Sequence, residues 1–481
     1  LKRLASFIGR GRGPTYVESG GVPVVNQKCI RWHRLETQHL KQTAREAFER
    51  LTPELRLKRG DMLWNSTGTG TIGRALIYDG SIPALTFDSH VTLVRPASIL
   101  PAYLGYLVET TRVQSLVTDG HVGSTNQQEL PRSFVEDLLV PLPPLPEQCR
   151  IAAKVDQLFA EIAEGEAALA AARNGLDSFR RALLKAAVTG ELTKDWRAAN
   201  PVSETGHDLL ARITKDRSAR GRARRSSNAA SSDLPEPPEL PEGWAWTTLE
   251  ILGDPTRSAA YGVLQPGPDC TDGIPMVRVQ DINSGAVALG RIKRISQAVE
   301  SGYKRTRLQG GEVLITLVGS IGRTAVAPPE LKGANTARAV GVVPLSPMID
   351  PRWVEIWLRS PAKQNELVSQ AHEVARKTLN LEEVRRATVA IPPPAESAEI
   401  LCRVSAALAA HADTLTMLDA EAADAARLKQ SILKAAFEGH LVPQDPADEP
   451  ASALLLRSAA DPSAPRAKRG RAKSKHGKAG P

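Results

Sequence analysis

Apolar positions along this chain recur with two different periods. Short runs rich in aliphatic and β-branched residues, at Val22–Asn26, Asp61–Trp64, Val91–Val94, Pro275–Val279, Glu312–Leu317 and Val340–Val343, are separated by Gly and Pro and predict strands. Segments near Leu104–Leu116 and Trp353–Val368 predict short helices packed on the resulting curved sheet. After the breaker Pro141-Leu142-Pro143-Pro144-Leu145-Pro146 the period changes. Apolar or small residues fall at Ile151, Val155, Leu158, Ile162, Gly165, Leu169, Ala172, Leu176, Phe179, Leu183 and Ala186. That unbroken 4-3 alternation predicts a coiled-coil seam, on a helix of roughly 60 Å at 1.5 Å per residue. A weaker seam returns at Ile400, Val404, Leu418, Leu428 and Ile432, where His411, Thr414 and Glu421 interrupt it and Leu408 and Leu415 take over one position away. Two such helices in one chain are expected to pack antiparallel, in an approximately two-fold arrangement. Glu164, Glu166, Arg173 and Arg180 then lie off the first seam, free to meet a partner.

The two periods belong to an internal repeat. Gly70-Thr71-Ile72-Gly73-Arg74 returns as Gly319-Ser320-Ile321-Gly322-Arg323, an offset of 322 − 73 = 249. The offset persists from Val135, Val140, Leu142, Pro143, Pro144 and Glu147 to Val384, Val389, Ile391, Pro392, Pro393 and Glu396, and from Leu184-Lys185-Ala186-Ala187 to Leu433-Lys434-Ala435-Ala436, which implies a register without gaps. Upstream it drifts, with Val22-Pro23-Val24-Val25 matching Ile274-Pro275-Met276-Val277. The second copy opens on Leu240-Pro241-Glu242-Gly243-Trp244-Ala245-Trp246. The first has no such segment and starts at Leu1, so a short natural N-terminus is expected to precede it. The expected organisation is α+β: a recognition-type domain at 1–143, a long helix at 144–199, a linker at 200–241, a second such domain at 242–391, a second long helix at 392–441 and a basic tail at 442–481.

Composition narrows the function. In 481 residues, 62 Lys and Arg against 53 Asp and Glu give a net charge of +9, which favours a polyanionic partner. Much of the excess sits in the tail, at Arg466, Lys468, Arg469, Arg471, Lys473, Lys475 and Lys478, and the linker carries a second cluster at Arg217, Arg220, Arg222, Arg224 and Arg225. No run approaches the roughly 18 apolar residues of a membrane span, so no membrane partner is expected. Cys29, Cys149, Cys270 and Cys402 are scattered without a CxxC pair, which fits a cytoplasmic, reducing compartment and predicts neither a disulfide frame nor a metal site.

Catalytic motifs are not evident. Gly68 to Gly73 has the glycine spacing of a phosphate-binding loop, but Arg74-Ala75 replaces the required Lys-Ser/Thr. None of the double prolines sits in the Asp/Asn-Pro-Pro-aromatic motif of a base-flipping adenine methyltransferase. Acidic and histidine positions do not recur between the copies as acid/base pairs would.

Taken together, Pro-Leu-Pro-Pro-Leu-Pro-Glu-Gln (141–148) leading into a long helix, Leu-Leu-Lys-Ala-Ala-Val-Thr-Gly-Glu-Leu (183–192), Leu-Pro-Glu-Gly-Trp (240–244) and Gly-Ser-Ile-Gly-Arg (319–323) resemble the specificity subunits of type I restriction-modification systems. The resemblance covers nearly the whole chain except linker and tail. The second proline segment, Pro392-Pro393-Pro394-Ala395-Glu396-Ser397, departs from it in lacking the Gln. It implies a non-catalytic subunit whose two target-recognition domains each read half of a split double-stranded DNA sequence. The paired helices would act as a ruler and as the dock for two modification (methyltransferase) subunits, with restriction subunits completing the complex. S-adenosylmethionine, ATP and magnesium would belong to those partners, and this chain would hold no cofactor. The alternative is a stand-alone architectural or regulatory DNA-binding protein.

Direct readout uses Arg, Lys, Asn and Gln side chains on base edges, with further basic groups on phosphates. The candidates are Arg12, Lys28, Arg31, Arg34, Asn65, Arg74, Asn126 and Gln127 in the first domain. In the second they are Arg278, Gln280, Asn283, Arg291, Lys293, Lys304, Arg305, Arg323, Arg376 and Lys377. Arg74 and Arg323, held by the same loop in both copies, fit a shared phosphate contact or structural role better than the reading of different bases.

Overall fold

The computed structural model describes residues 1–123, 128–201, 203–220, 239–283, 285–373 and 377–460. It divides into two compact units, Leu1–Leu169 with Asp419–Pro481, and Ala170–Leu418. In the first unit an antiparallel sheet runs in the order Ala5–Arg10, Val91–Pro96, Met62–Asn65, Ala75–Ile77. A second sheet runs Tyr16–Val17, Lys41–Thr43, Val22–Val25, Thr86–Phe87, its last pair parallel. The strand Met62–Asn65 is buried on both faces, and its two-residue period sends side chains into different cores. Met62 and Trp64 join the helix-side cluster with Tyr103, Leu104 and Val135, whereas Leu63 packs with Val25, Ile30 and Phe87.

The second unit repeats this plan. Ala260–Tyr261, Val340–Val343, Val313–Thr316 and Thr324–Val326 form the four-stranded sheet, and Lys293–Ile295, Ile274–Val277 and Asn335–Thr336 a three-stranded one, also ending in a parallel pair. Val313 and Ile315 face the cluster containing Trp353, and Leu314 faces the one containing Val277 and Val342. The strand Ala245–Thr248, with no counterpart among the described residues of the first unit, pairs antiparallel with Thr388–Ile391.

Several expectations need correction. Each expected short helix is two: Pro101–Glu109 and Thr111–Gly120, then Pro351–Arg359 and Pro361–Ser369. The breaks fall at extended Thr110, whose side chain caps Val113 N, and at extended Ser360 before Pro361. Nor is the register free of gaps. Strands Ala75–Ile77 and Thr324–Val326 stand 249 residues apart, but helices starting at Pro101 and Pro351 stand 250 apart, and the offset returns to 249 at Arg132 and Leu381. A residue gained before the helices is given back after them. The segment expected as a linker holds the helix Gly206–Arg220, anchored by buried Leu209 and Ile213 one turn apart. Residues 221–238 of that segment, with Arg222, Arg224 and Arg225, lie outside the described residues, as do the tail's basic residues.

The long helices span Leu145–Val188 and Pro394–Phe437, 44 residues each. Within the first unit their portions run antiparallel: Ile151 and Val155 share a core with Ile432 and Leu433, and Glu166 pairs with Lys429 at 2.9 Å. Within the second unit Ile400 and Val404 pack in the core that holds Leu183 and Leu184. The expected seam is right at these ends and slips in the middle. Leu158, Ile162, Leu169, Leu176 and Leu418 are half-buried, but Phe179 and Leu428 are exposed, at 48% and 51%. The inward positions become Glu166, Arg173, Arg180 and Ala187 in place of Gly165, Ala172, Phe179 and Ala186. Glu166, Arg173 and Arg180 are therefore not the outward positions expected of them, whereas Glu164 is exposed. The second helix makes the same step, from buried His411 to Leu415. The slip is a single 4-4 step, Leu158 to Ile162 to Glu166, after which the inward positions again recur every seven residues; one such step offsets part of the drift of about 20° per heptad that a straight helix accumulates. Among the described residues no helix is long and apolar enough to cross a membrane.

Candidate nucleic-acid interface

The loop between the two central strands is built alike in both units. Its ends are closed by Gly73 N donating to Asn65 O and by Gly322 N donating to Thr316 O, both at 2.9 Å. Between these brackets lie residues 66–72 in one unit and the shorter 317–321 in the other. A glutamine on the neighbouring helix locks each loop. Gln114 Nε2 donates to Gly73 O (3.2 Å) and Val108 O (2.6 Å), and Gln364 Nε2 donates to Gly322 O and Leu358 O (both 2.7 Å). Gly73 and Gly322 adopt φ of 87° and 81°, and a Cβ there would stand within 2.9 Å of the glutamine oxygen. Sequence reading missed these glutamines. The signal was a Gln three residues after Thr111 and after Pro361, each at a helix start.

Around this scaffold the rim differs between the units. In the first, Thr67 Oγ1 donates to Gln27 Oε1 (3.0 Å) and lies 2.7 Å from His90 Nδ1. Arg10 pairs with Glu129 and donates to Ser66 O. Burial raises the Asp88 carboxyl above its ordinary range, opposed by the His90 amide. Tyr16 donates to Asp88, and burial with that neighbouring charge pushes its hydroxyl up to about 12. In the second unit, backbone pairing fixes the equivalents. Ser66 N donates to His90 O as Leu317 N does to Ala339 O, and Leu130 N donates to Ser66 O as Leu379 N does to Leu317 O. His90 thus corresponds to Ala339, Thr67 to Val318 and Glu129 to Thr378. Arg10, opposite Thr92, corresponds to Tyr261, opposite Gly341. One backbone frame carries two chemically different edges.

The expected residues divide accordingly. Arg12, Lys28, Gln280, Asn283, Arg291, Lys304, Arg305 and Arg323 are exposed, and Arg74 is half-buried. Among the described residues the guanidinium groups of Arg74 and Arg323 have no hydrogen-bond or ion-pair partner. Lys304 and Arg305 line a cleft with Tyr261, Asn380 and Arg385. Asn65 is instead fully buried, its amide donating to Gln27 O at 3.0 Å, because the last residue of a central strand points into the frame. Arg31 and Arg34 share Glu36 at 3.0 and 2.8 Å. Arg278 is held by Asp281 and by Arg291 O, Lys293 Nζ donates to Gly267 O (2.6 Å), and Lys377 is engaged in the hairpin with His372–Glu373. Asn126, Gln127 and Arg376 lie outside the described residues. Sequence reasoning also missed Arg10, Gln27, Thr67, His90 and Tyr261.

Comparison with known proteins agrees with this architecture. Residues 15–170 match the type I restriction modification DNA specificity domain. The chain is 36% identical over 355 residues to the type I restriction enzyme EcoBI specificity subunit of Escherichia coli, covering 73% of this chain and 66% of that protein, just under two thirds of its length. It is 26% identical over 374 residues to the EcoKI specificity subunit of Escherichia coli K12, covering 76% of this chain and 71% of that one. The fold matches a chain in a solved structure concerned with complex assembly and conformational transition of a type I R-M system, with a TM-score of 0.62 at 16% identity over 92% of this chain and 97% of that one. Residues 15–170 therefore carry a type I restriction modification DNA specificity domain, and the chain as a whole is similar to the specificity subunits of type I restriction enzymes.

Proposed function

We propose that this chain is the non-catalytic, DNA-reading component of a type I restriction-modification complex. Each recognition domain reads one half of a bipartite double-stranded target, and the long helices dock two methyltransferase subunits, with restriction subunits completing the assembly. S-adenosylmethionine, ATP and magnesium are carried by those partners. The observation supporting this reading most directly is the exchange of rim residues on one retained frame: His90 for Ala339, Thr67 for Val318, Arg10 for Tyr261. Side chains that differ where the backbone agrees suit two domains that read different base edges. The unpartnered Arg74 and Arg323, at the same loop position in both, suit contacts to phosphate, which every sequence offers.

The test is a domain exchange. Replacing residues 1–143 with the equivalent domain of a relative, in cells expressing the cognate methyltransferase, is expected to change one half of the methylated sequence and leave the other intact, as read by methylation-sensitive sequencing. A change in both halves, or in neither, refutes independent reading.

A further inference from the structure

In the first unit, side chains from three separate connections between strands meet at one oxygen. Gln27 follows the strand Val22–Val25, Thr67 follows Met62–Asn65, and His90 precedes Val91–Pro96. Thr67 Oγ1 donates to Gln27 Oε1 at 3.0 Å and lies 2.7 Å from His90 Nδ1. A hydroxyl has a single proton, and an amide oxygen can only accept it. His90 Nδ1 must therefore be the donor in the second bond, so the neighbours fix the tautomer of the ring. In the uncharged ring Nε2 is then left as an acceptor. The amide of Gln27 is oriented in the same way: with Oε1 engaged, Nε2 offers its protons. Among the described residues neither Nε2 has a hydrogen-bond partner. His90 is exposed and Gln27 half-buried.

The backbone holds this edge still. His90 N donates to Asp88 Oδ1 and His90 O accepts from Ser66 N, both at 2.9 Å. Gln27 O accepts from the amide of buried Asn65 at 3.0 Å. Gly68, at φ 104°, leaves room for the glutamine: a Cβ there would stand 3.0 Å from Gln27 Oε1 and 2.5 Å from Thr71 Oγ1. An edge ordered before binding loses little conformational entropy on contact. The second unit has no such edge, because Val318 and Ala339 take the places of Thr67 and His90 and neither side chain carries a hydrogen-bonding atom.

A fixed donor beside a fixed acceptor selects among bases. In the major groove adenine offers an acceptor, N7, beside a donor, N6–H, whereas guanine offers two acceptors, cytosine a donor alone, and thymine an acceptor and a methyl group. We infer that Gln27 and His90 read an adenine in the half-site of the first domain, Gln27 Nε2 donating to N7 and His90 Nε2 accepting from N6–H, with Thr67 as the positioning residue that sets both. This rests on the first domain being a DNA-reading domain, and adds the base and the atoms that read it. Guanine in the same place would set O6 against the lone pair of His90 Nε2 and leave both without a donor.

The test uses the full chain assembled with its cognate methyltransferase to select bound sequences from a pool of randomised DNA duplexes. The parent is expected to select a bipartite sequence, and His90→Ala should relax a required adenine in one half of it by about tenfold or more. Thr67→Val should relax the same adenine, whereas Thr67→Ser, which keeps the hydroxyl, should not. Gln27→Glu exchanges the amide donor for an acceptor at nearly constant volume and should move the preference at that position from adenine to cytosine, whose N4 donates to carboxylates. The other half-site, unchanged, shows that each variant is folded, and Gln27→Glu decides the matter if His90→Ala selects nothing. A parent that selects no sequence would remove the DNA-reading function itself and this inference with it. A bipartite sequence selected with the same stringency by parent and variants would overturn the inference alone, as would a G·C pair at the affected position, whose O6 and N4 also set an acceptor beside a donor.

Discussion

Replacing Gln364 with Met tests whether the glutamine lock holds the loop of the second unit. Methionine keeps the length and volume of the side chain and removes its donors, so packing changes little. Two acceptors lose their partner: Gly322 O in the loop and Leu358 O near the end of the helix Pro351–Arg359, each bonded at 2.7 Å. A net contribution of about 1 kcal/mol per bond gives a loss of about 2 kcal/mol. In a domain of this size that corresponds to about 4–8 °C in Tm. The first unit supplies an internal control, because Gly73 O also accepts from Trp64 Nε1 at 2.9 Å and keeps that bond when Gln114 is lost. Gln114→Met strands only Val108 O and is expected to cost about half as much. Scanning calorimetry of the full chain with each variant measures the difference. If both variants unfold within about 1 °C of the parent, or if Gln114→Met is the more harmful, the lock is not what holds the loops.

Two further perturbations probe the rim and the core. Arg74→Ala and Arg323→Ala should each weaken DNA binding by the assembled complex uniformly across target sequences and lower the salt dependence by about one phosphate contact; a change in the preferred sequence, read by competition binding, would assign them to bases instead. Glu355 accepts from Thr324 Oγ1 at 3.0 Å and lies 3.4 Å from Arg359, and burial raises its pKa above the ordinary 4.5. A carboxyl whose folded pKa is raised favours folding at low pH, and that contribution is lost as the pH rises through the folded pKa. Glu355→Gln should therefore gain stability relative to the parent as the pH climbs above 4.5, in urea unfolding followed between about pH 4 and 8; a flat difference would show that the burial of this carboxyl is not felt.

The parts of this fold that repeat a simple period were legible in the sequence. The central strands stand within one or two residues of their expected places because aliphatic runs buried on both faces have few alternatives. The helix ends that reach the cores, at Ile151, Val155, Leu183, Ile400, Val404 and Ile432, followed from spacing alone. The middle of each helix did not. There Glu166 turns inward and finds Lys429, and a heptad count has no means of seeing that a charge pair stands in for a seam residue. The candidate site was harder still. Arg31, Arg34, Arg278 and Lys293 have the right chemistry, but their engagement by Glu36, Asp281 and backbone carbonyls is a property of folded neighbours. Thr67 and His90 are ordinary residues in sequence, 23 apart, and become a pair only when two strands of one sheet place them 2.7 Å from each other.

The brackets at Asn65–Gly73 and Thr316–Gly322 have a consequence for how such a chain can vary. Each closes its loop with one backbone hydrogen bond and one glutamine, and neither uses a side chain of the residues enclosed. Two loops of different length already sit in the same frame. The tip of each stretch, residues 68–71 and 319–320, behaves as a cassette: insertions, deletions and substitutions there spare the strand pairing and the cores, whereas Leu317 lies in a core and Ile72, Val318 and Ile321 pack against one. Diversity can thus accumulate, or be installed as a library, at the edge of either domain without a new fold having to be found each time.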